Sequence, residues 1–315
     1  MDMALLAGSG NPSLAGAVAG HLGIDTTRCT TERFPDGEAH VAVGPVQGRD
    51  VYVVQPTGPP ADQHLMELLL IADACRRAGG SRLTAVIPYF GYARHDRRTH
   101  PGEAVGARVV GDLLATVGID RALVVDPHTE ALEALCSVPL DVISAQPILA
   151  QALRPGVLPN AVVVAPDEGA LKLADRYATE LGLPLAFVRK RRLSGETVSV
   201  GEVVGDVQGR QVVLVDDMVS TGGTIAGAIA AVLDRGSVSG VLVAATHGLL
   251  VGPIAARLRG LPIDGLFVTN TLPPHSDVPC PVTVIDIAAL LAKRIVEFHH
   301  DTQGETGTSR PMASS

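Results

Sequence analysis

The chain has 315 residues and a formal net charge of −8, a length that suits two domains and a balance that argues against general binding to nucleic acid or to an anionic membrane. Hydrophobic residues make up 46 % but aromatic ones only 3 %, with no Trp, so Val, Leu, Ala and Ile must build the core. Cys29, Cys75, Cys136 and Cys280 show neither zinc-type spacing nor a disulfide framework, no Lys or Arg precedes Arg28, and no apolar run nears the ~18 residues of a membrane span, so a cytoplasmic location is expected.

In the first half, apolar runs at 4–6, 51–54, 83–88 and 122–125 read as strands, with helices at 13–22, 62–78 and 104–117 between them. In the second half, strands at 161–164, 185–188, 212–215, 238–246, 266–269 and 282–285 follow a helix at 146–153. They alternate with helices at 170–180, 225–233, 253–258 and 287–299. Strand alternating with helix implies an α/β protein, each half a mainly parallel sheet flanked by helices. Gly48-Arg49-Asp50-Val51-Tyr52-Val53-Val54 matches Gly209-Arg210-Gln211-Val212-Val213-Leu214-Val215 at a constant offset, which marks two similar domains from a diverged repeat. The domains are placed at 1–145 and 146–300. Residues 301–315, rich in Thr, Ser, Gly and Pro, read as a disordered tail.

The run from Val212 to Thr224 carries the most chemistry. Four buried-type residues lead to Asp216 and Asp217, then to Ser220-Thr221-Gly222-Gly223-Thr224, then to an apolar helix. Open α/β sheets bind ligands at such strand ends. Ser220, Thr221 and Thr224 offer hydroxyls, Gly222 and Gly223 let backbone N–H groups approach an anion, and the helix start adds positive potential. The loop therefore suits a phosphate, and the carboxylates suit sugar hydroxyls attached to it. A capped helix with two solvated Asp is the plainer alternative, but adjacent Asp at a buried strand end cost desolvation. Successive strand residues face opposite sides, so the strand must be turning at this point if both Asp touch one sugar.

Other strand-end clusters follow the same theme. Phe34-Pro35-Asp36-Gly37-Glu38 reads as a hairpin tip. The stretch from Pro88 to Arg98 gathers aromatics with Arg94, His95, Arg97 and Arg98 after an apolar strand. Asp126-Pro127-His128, Asp167-Glu168-Gly169 and Arg189-Lys190-Arg191-Arg192 each follow a strand. Singly these are charged loops; together they supply cations and magnesium-binding oxygens for a substrate with several phosphates.

Residues 212–224 resemble the ribose-5-phosphate signature of the type I phosphoribosyltransferase fold. The whole set, in order from about Leu5 to Ile295, resembles the ribose-phosphate diphosphokinase (phosphoribosyl diphosphate synthetase) family. The resemblance implies transfer of the diphosphoryl group of Mg-ATP to the anomeric hydroxyl of ribose 5-phosphate, giving phosphoribosyl diphosphate and AMP. It assigns ATP to the first domain and the sugar phosphate to the second. Phe34 would stack on adenine while Asp36 and Glu38 read its edge, and Arg94, His95 and Arg97 would hold the nucleotide and its phosphates. His128 and Asp167 would position Mg2+, with His128 also placed in the catalytic set. Lys190 and Arg192, on a mobile loop, would stabilise transition-state charge. Asp216 and Asp217 would bind the ribose hydroxyls, and Ser220, Thr221, Gly222, Gly223 and Thr224 the 5-phosphate. A homo-oligomer of dimers or more is implied because the family's adenine hairpin reaches a neighbouring subunit. His95 stands where many relatives have Gln, and Arg97 and Arg98 where lysines are common; no required chemical group is lost. A base-consuming phosphoribosyltransferase and a silent binding subunit are the rival readings. The first leaves Phe34, Arg94 and Lys190 unexplained, and the second leaves His128, Lys190 and Arg192 without a purpose.

Overall fold

The computed structural model of the protein describes residues 1–193, 197–236, 238–274 and 277–305, and among these the backbone alone for 190–193, 197–200 and 301–305. The chain forms two units, Met1–Ile143 with the segment from Ile287 onward, and Ser144–Asp286.

In the first unit, β1 (Met3–Ala7) leads into α1 (Pro12–Leu22), which the Asn11 side chain starts by accepting the Leu14 N–H at 3.1 Å. A hairpin of β2 (Cys29–Arg33) and β3 (Ala39–Val43) follows. Then come β4 (Asp50–Val54), α2 (Ala61–Arg77), β5 (Arg82–Ile87), α3 (Gly106–Thr116), β6 (Arg121–Val125), α4 (Leu132–Leu135) and β7 (Leu140–Ile143). The sheet order is β1-β4-β5-β6-β7, every pair parallel. Its central strands are buried on both faces, which is why they read as near-continuous apolar runs rather than as alternation.

The second unit holds α5 (Gln146–Leu153), β8 (Val162–Ala165), α6 (Leu171–Leu181), β9 (Leu185–Leu193), β10 (Thr197–Val204), β11 (Val212–Val219), α7 (Gly223–Asp234), β12 (Val241–Gly248), α8 (Ile254–Leu258), β13 (Ile263–Thr269) and β14 (Val282–Ile285). Its sheet runs β10-β9-β8-β11-β12-β13-β14, and only β9 with β10 is antiparallel. Leu214 packs with Ile225 and Ile229 of α7, while Val213 and Val215 pack with Leu149 of α5 and Tyr177 of α6. The five strands β8-β11-β12-β13-β14 have the order of β1-β4-β5-β6-β7, and each unit inserts one hairpin between its first and second parallel strands. The repeat seen in the sequence is thus a repeat of topology.

Chain spacing places the end of the second domain at residue 300, but the structure places it at Asp286. The last helix, α9 (Ala288–Glu305), packs on α1 of the first unit. Its apolar positions Leu291, Ile295 and Phe298 are buried there. The Arg121 and Arg294 guanidinium carbons lie 4.6 and 4.5 Å from the Phe298 ring centre, and Arg294 also pairs with Asp141 at 2.5 Å. An amphipathic pattern shows that a helix covers something, not which sheet it covers, so the sequence carried no sign of this return. Of the segment 301–315 expected as a disordered tail, 301–305 continue α9, and 306–315 lie outside the described residues.

Candidate active site

Parallel strands all end on one side of a sheet, and Arg94, His95, Arg97, His128, Asp167 and residues 216–224 lie at or just after such ends. In the second unit β11 does not turn at the acidic pair. It continues through both Asp residues to Val219, with Asp216 in register with Ala245 and Met218 with His247. Alternation therefore puts Asp216 on the α7 side of the sheet and Asp217 on the α6 side, and the turn that would have brought both to one face is not formed. The Asp217 N–H donates to Asp216 Oδ1 at 2.9 Å. Burial pushes the Asp216 carboxyl well above its ordinary pKa, and the charge of neighbouring Asp217 adds to this, with a smaller contribution from Asp167. The acidic pair at the end of β11, with Asp167 after β8 adding to its unfavourable charge, favours a ligand that brings hydrogen-bond donors or a cation.

The loop after β11 is built to hold a helix start open. Gly222 has φ of 79°, a left-handed value that a glycine adopts without strain, and a Cβ there would lie 2.6 Å from Ile254 Cδ1. No side chain caps α7. Its first N–H groups are consequently available to an anion. Among the described residues no protein group bonds the Ser220 or Thr224 hydroxyl. The next loop braces this one: the Leu250 and Val251 N–H groups donate to the Val219 and Ser220 carbonyls at 3.0 and 3.1 Å. Arg257 of α8, which sequence reasoning missed, donates through Nη1 to Thr221 O at 3.1 Å and to Thr221 Oγ1 at 2.6 Å. Nothing in its spacing distinguishes it from any exposed helix arginine. The segments Thr246-His247-Gly248 and Val268-Thr269-Asn270-Thr271, which also resemble family segments, form a buried polar cluster at the ends of β12 and β13. There His247 Nδ1 lies 3.0 Å from Thr271 Oγ1, and the Thr269 hydroxyl donates to Thr246 O at 2.7 Å.

Asp167 follows β8 and starts a single 3-10 turn, its Oδ1 accepting the Gly169 N–H at 3.1 Å. The backbone of Lys190 and Arg192 lies in β9, with Lys190 opposite Gly201 of β10, so both stand on a hairpin strand rather than on a loop. Residues 197–204 alternate in polarity along much of their length, a signal that could have identified β10. The side chains of Lys190 and Arg192 lie outside the described residues.

In the first unit Phe34, Asp36 and Glu38 form the tip of the β2–β3 hairpin. The Phe34 N–H donates to Glu38 O and the Gly37 N–H to Phe34 O, both at 2.9 Å, and Asp36 Oδ1 accepts the Glu38 N–H at 3.0 Å. This presents the Phe34 ring 51 % exposed, so its face is open to a planar ligand. Arg94, His95 and Arg97 are exposed in the loop after β5. That loop is pinned where the Gly91 N–H donates to Thr57 Oγ1 at 2.7 Å, an approach a Cβ would block at 2.3 Å from Thr57 O. Among the described residues no hydrogen bond joins the hairpin tip to Arg94, His95 or Arg97. His128 lies exposed after β6, two residues beyond Asp126, whose φ of 34° is rare for a side-chain-bearing residue.

Among the described residues no three His, Cys, Asp or Glu side chains gather as a ready metal cage, and no helix is long and apolar enough to cross a membrane.

Comparison with known proteins gives a consistent result. Residues 3–118 match the family model described as the N-terminal domain of ribose phosphate pyrophosphokinase, and residues 148–250 match the phosphoribosyl transferase domain. The ribose-phosphate pyrophosphokinase of Nostoc sp. is 40 % identical over 301 residues, covering 95 % of this chain and 91 % of that one. That of Rhodopirellula baltica is 39 % identical over 305 residues, covering 95 % and 96 %. The crystal structure of phosphoribosylpyrophosphate synthetase from Mycobacterium smegmatis superposes with a TM-score of 0.89 at 38 % identity, covering 96 % of this chain and all 100 % of that one. Matched over nearly its whole length in both sequence and fold, the chain belongs to the ribose-phosphate pyrophosphokinase family.

Proposed function

We propose that the protein transfers the diphosphoryl group of ATP to ribose 5-phosphate, giving phosphoribosyl diphosphate and AMP. The observation that carries this reading is the end of β11, where two carboxylates meet an uncapped helix N-terminus in a chain of this family. In the reaction the anomeric oxygen bonds to the β-phosphorus. The bond from that phosphorus to the oxygen bridging it to the α-phosphorus breaks, AMP leaves with that oxygen, and the hydroxyl proton goes to solvent. Little covalent help is needed; positioning and charge neutralisation do most of the catalysis.

The first N–H groups of α7 and the hydroxyls of Ser220, Thr221 and Thr224 would take the 5-phosphate over Gly222 and Gly223. No turn brings the two carboxylates to one face, so the sugar would have to span the end of β11, donating one hydroxyl to Asp216 and another to Asp217 and relieving the unfavourable charge at Asp216. In the first unit Phe34 would stack on adenine with Asp36 and Glu38 at its edge, and Arg94, His95 and Arg97 would hold the phosphates. Lys190 and Arg192 would supply positive charge to the migrating group.

Magnesium fits this donor set. It keeps several waters and draws ligands from substrate phosphates, so it needs only one or two groups from the protein. Asp167, whose Oδ1 accepts the Gly169 N–H, and His128 would each hold such an ion in their own unit. Bound there, the ion neutralises triphosphate charge. The enzyme would act in the cytoplasm as a homo-oligomer. Incubation with ATP, Mg2+ and ribose 5-phosphate should release AMP together with phosphoribosyl diphosphate; ADP as the sole nucleotide product would refute the reading.

A further inference from the structure

We propose that Arg257 is a positioning residue for the sugar-phosphate loop and sets its preference for a phosphorylated sugar. The inference rests on the reading of residues 220–224 as the 5-phosphate site. Arg257 lies on α8, far along the chain from that loop, yet one nitrogen of its guanidinium holds both the carbonyl and the hydroxyl of Thr221. The same helix fixes the next residue by packing, because Ile254 and Leu258 fill the space beside Gly222. The guanidinium also lies against the helix start: a Cβ on Gly223 would be 3.2 Å from Nη1. Thus α8 grips the loop from a polar side at Thr221 and an apolar side at Gly222, and it holds the N–H groups that follow in one orientation.

The charge arrangement points to an anion. A cation near a helix N-terminus is repelled by the positive end of the helix dipole. Among the described residues Arg257 has no acidic partner, and its Nε and Nη2 donors bond no protein group. Two positive features are therefore held together with nothing between them to balance the repulsion. A phosphate at the start of α7 would be attracted by both. Ribose without its phosphate would gain nothing from either.

Arg257→Met, which keeps the length of the stem and removes the charge, should raise KM for ribose 5-phosphate by about tenfold. It should leave kcat within about threefold and KM for ATP unchanged. Its calorimetric affinity for ribose should match that of the wild type while its affinity for ribose 5-phosphate falls; a merely structural role would weaken both. Thr221→Val should give part of the same loss, and the double variant should lose less than the product of the two, since both remove one interaction. Arg257→Lys retains charge without the fork and should fall between wild type and Arg257→Met, which serves as the test if Arg257→Met does not melt cooperatively. An unchanged ribose 5-phosphate KM, a loss in kcat alone, or equal weakening of ribose and ribose 5-phosphate overturns the proposal. Failure of the wild type to form phosphoribosyl diphosphate would instead overturn the functional reading, and the calorimetric comparison would then still decide the role of Arg257.

Discussion

Gln55 directly follows β4 where, in the second copy of the repeat, Asp216 stands near the end of β11, and the two residues have opposite fates. Gln55 is fully buried: its Oε1 accepts the Gly10 N–H at 2.9 Å and its Nε2 donates to His64 O at 3.2 Å. A Cβ on Gly8 would come within 2.1 Å of the same Oε1. Asp216 remains half-buried, without such a pair of backbone partners. The first copy of the repeat sets a hydrogen-bonded amide at this point, and the second a carboxyl whose charge is disfavoured by burial.

Asp216→Asn should trade function for stability. The folded protein holds a proton on Asp216 more tightly than the unfolded chain does. This group therefore favours folding below the ordinary carboxylate value of 3.8 and opposes it as pH rises through the raised value. Removing the charge should raise the neutral-pH Tm of the unliganded protein by roughly 2–4 °C, with the gain vanishing near about pH 4. KM for ribose 5-phosphate should rise at least about tenfold. Thermal melts across pH and sugar-dependence kinetics check both halves.

Phe34→Ala tests the hairpin tip. The ring is half exposed, so its loss should leave Tm nearly unchanged. Stacking on a base is worth about 1–3 kcal/mol, which corresponds to a rise in KM for ATP of about 5- to 150-fold. A Tm loss without a change in ATP use would show that the ring serves the hairpin alone.

Lys190→Ala should lower kcat by about a hundredfold or more while leaving KM for ATP within a few-fold, because charge supplied only as the diphosphoryl group moves acts in the transition state. Steady-state kinetics at saturating ribose 5-phosphate measure this directly. An equal loss in ATP affinity would assign Lys190 to ground-state binding.

The seat of α9 depends on Asp50. Its carboxylate, almost fully buried, takes Arg82 Nε at 2.7 Å, the Tyr52 hydroxyl at 2.9 Å and His299 Nδ1 at 2.7 Å. Burial alone would push its pKa up, but the bonds from Arg82, His299 and Tyr52 outweigh that and hold it below the ordinary value. A lowered carboxylate pKa stabilises the fold above the unfolded value and is lost as pH falls through the folded one, so this cluster should fail only in acid. Asp50→Ala strands the Arg82 charge and should cost about 3–5 kcal/mol at neutral pH. Limited proteolysis should then cut near residue 287 sooner than in the wild type.

How much of this was legible beforehand depended on the range of the interaction. Buried parallel strands such as β4, β6 and β11 are written as unbroken Val and Leu runs, and the Phe34 tip as Pro-Asp-Gly, because these preferences act between chain neighbours. β7 was missed because four residues half-covered at a sheet edge carry too little pattern. β10 was missed because its alternating run follows an arginine-rich stretch that reads as loop.

By itself the sequence determined the repeat, the α/β alternation and the glycine-containing loop after the acidic pair, since each is a contiguous string whose chemistry is local. Only the tertiary structure decided that α9 returns to α1, that β11 runs straight through Asp216 and Asp217, and that Arg257 reaches Thr221. Those outcomes depend on which buried faces meet across long stretches of chain, and hydrophobic matching between faces is non-directional until the whole fold has closed.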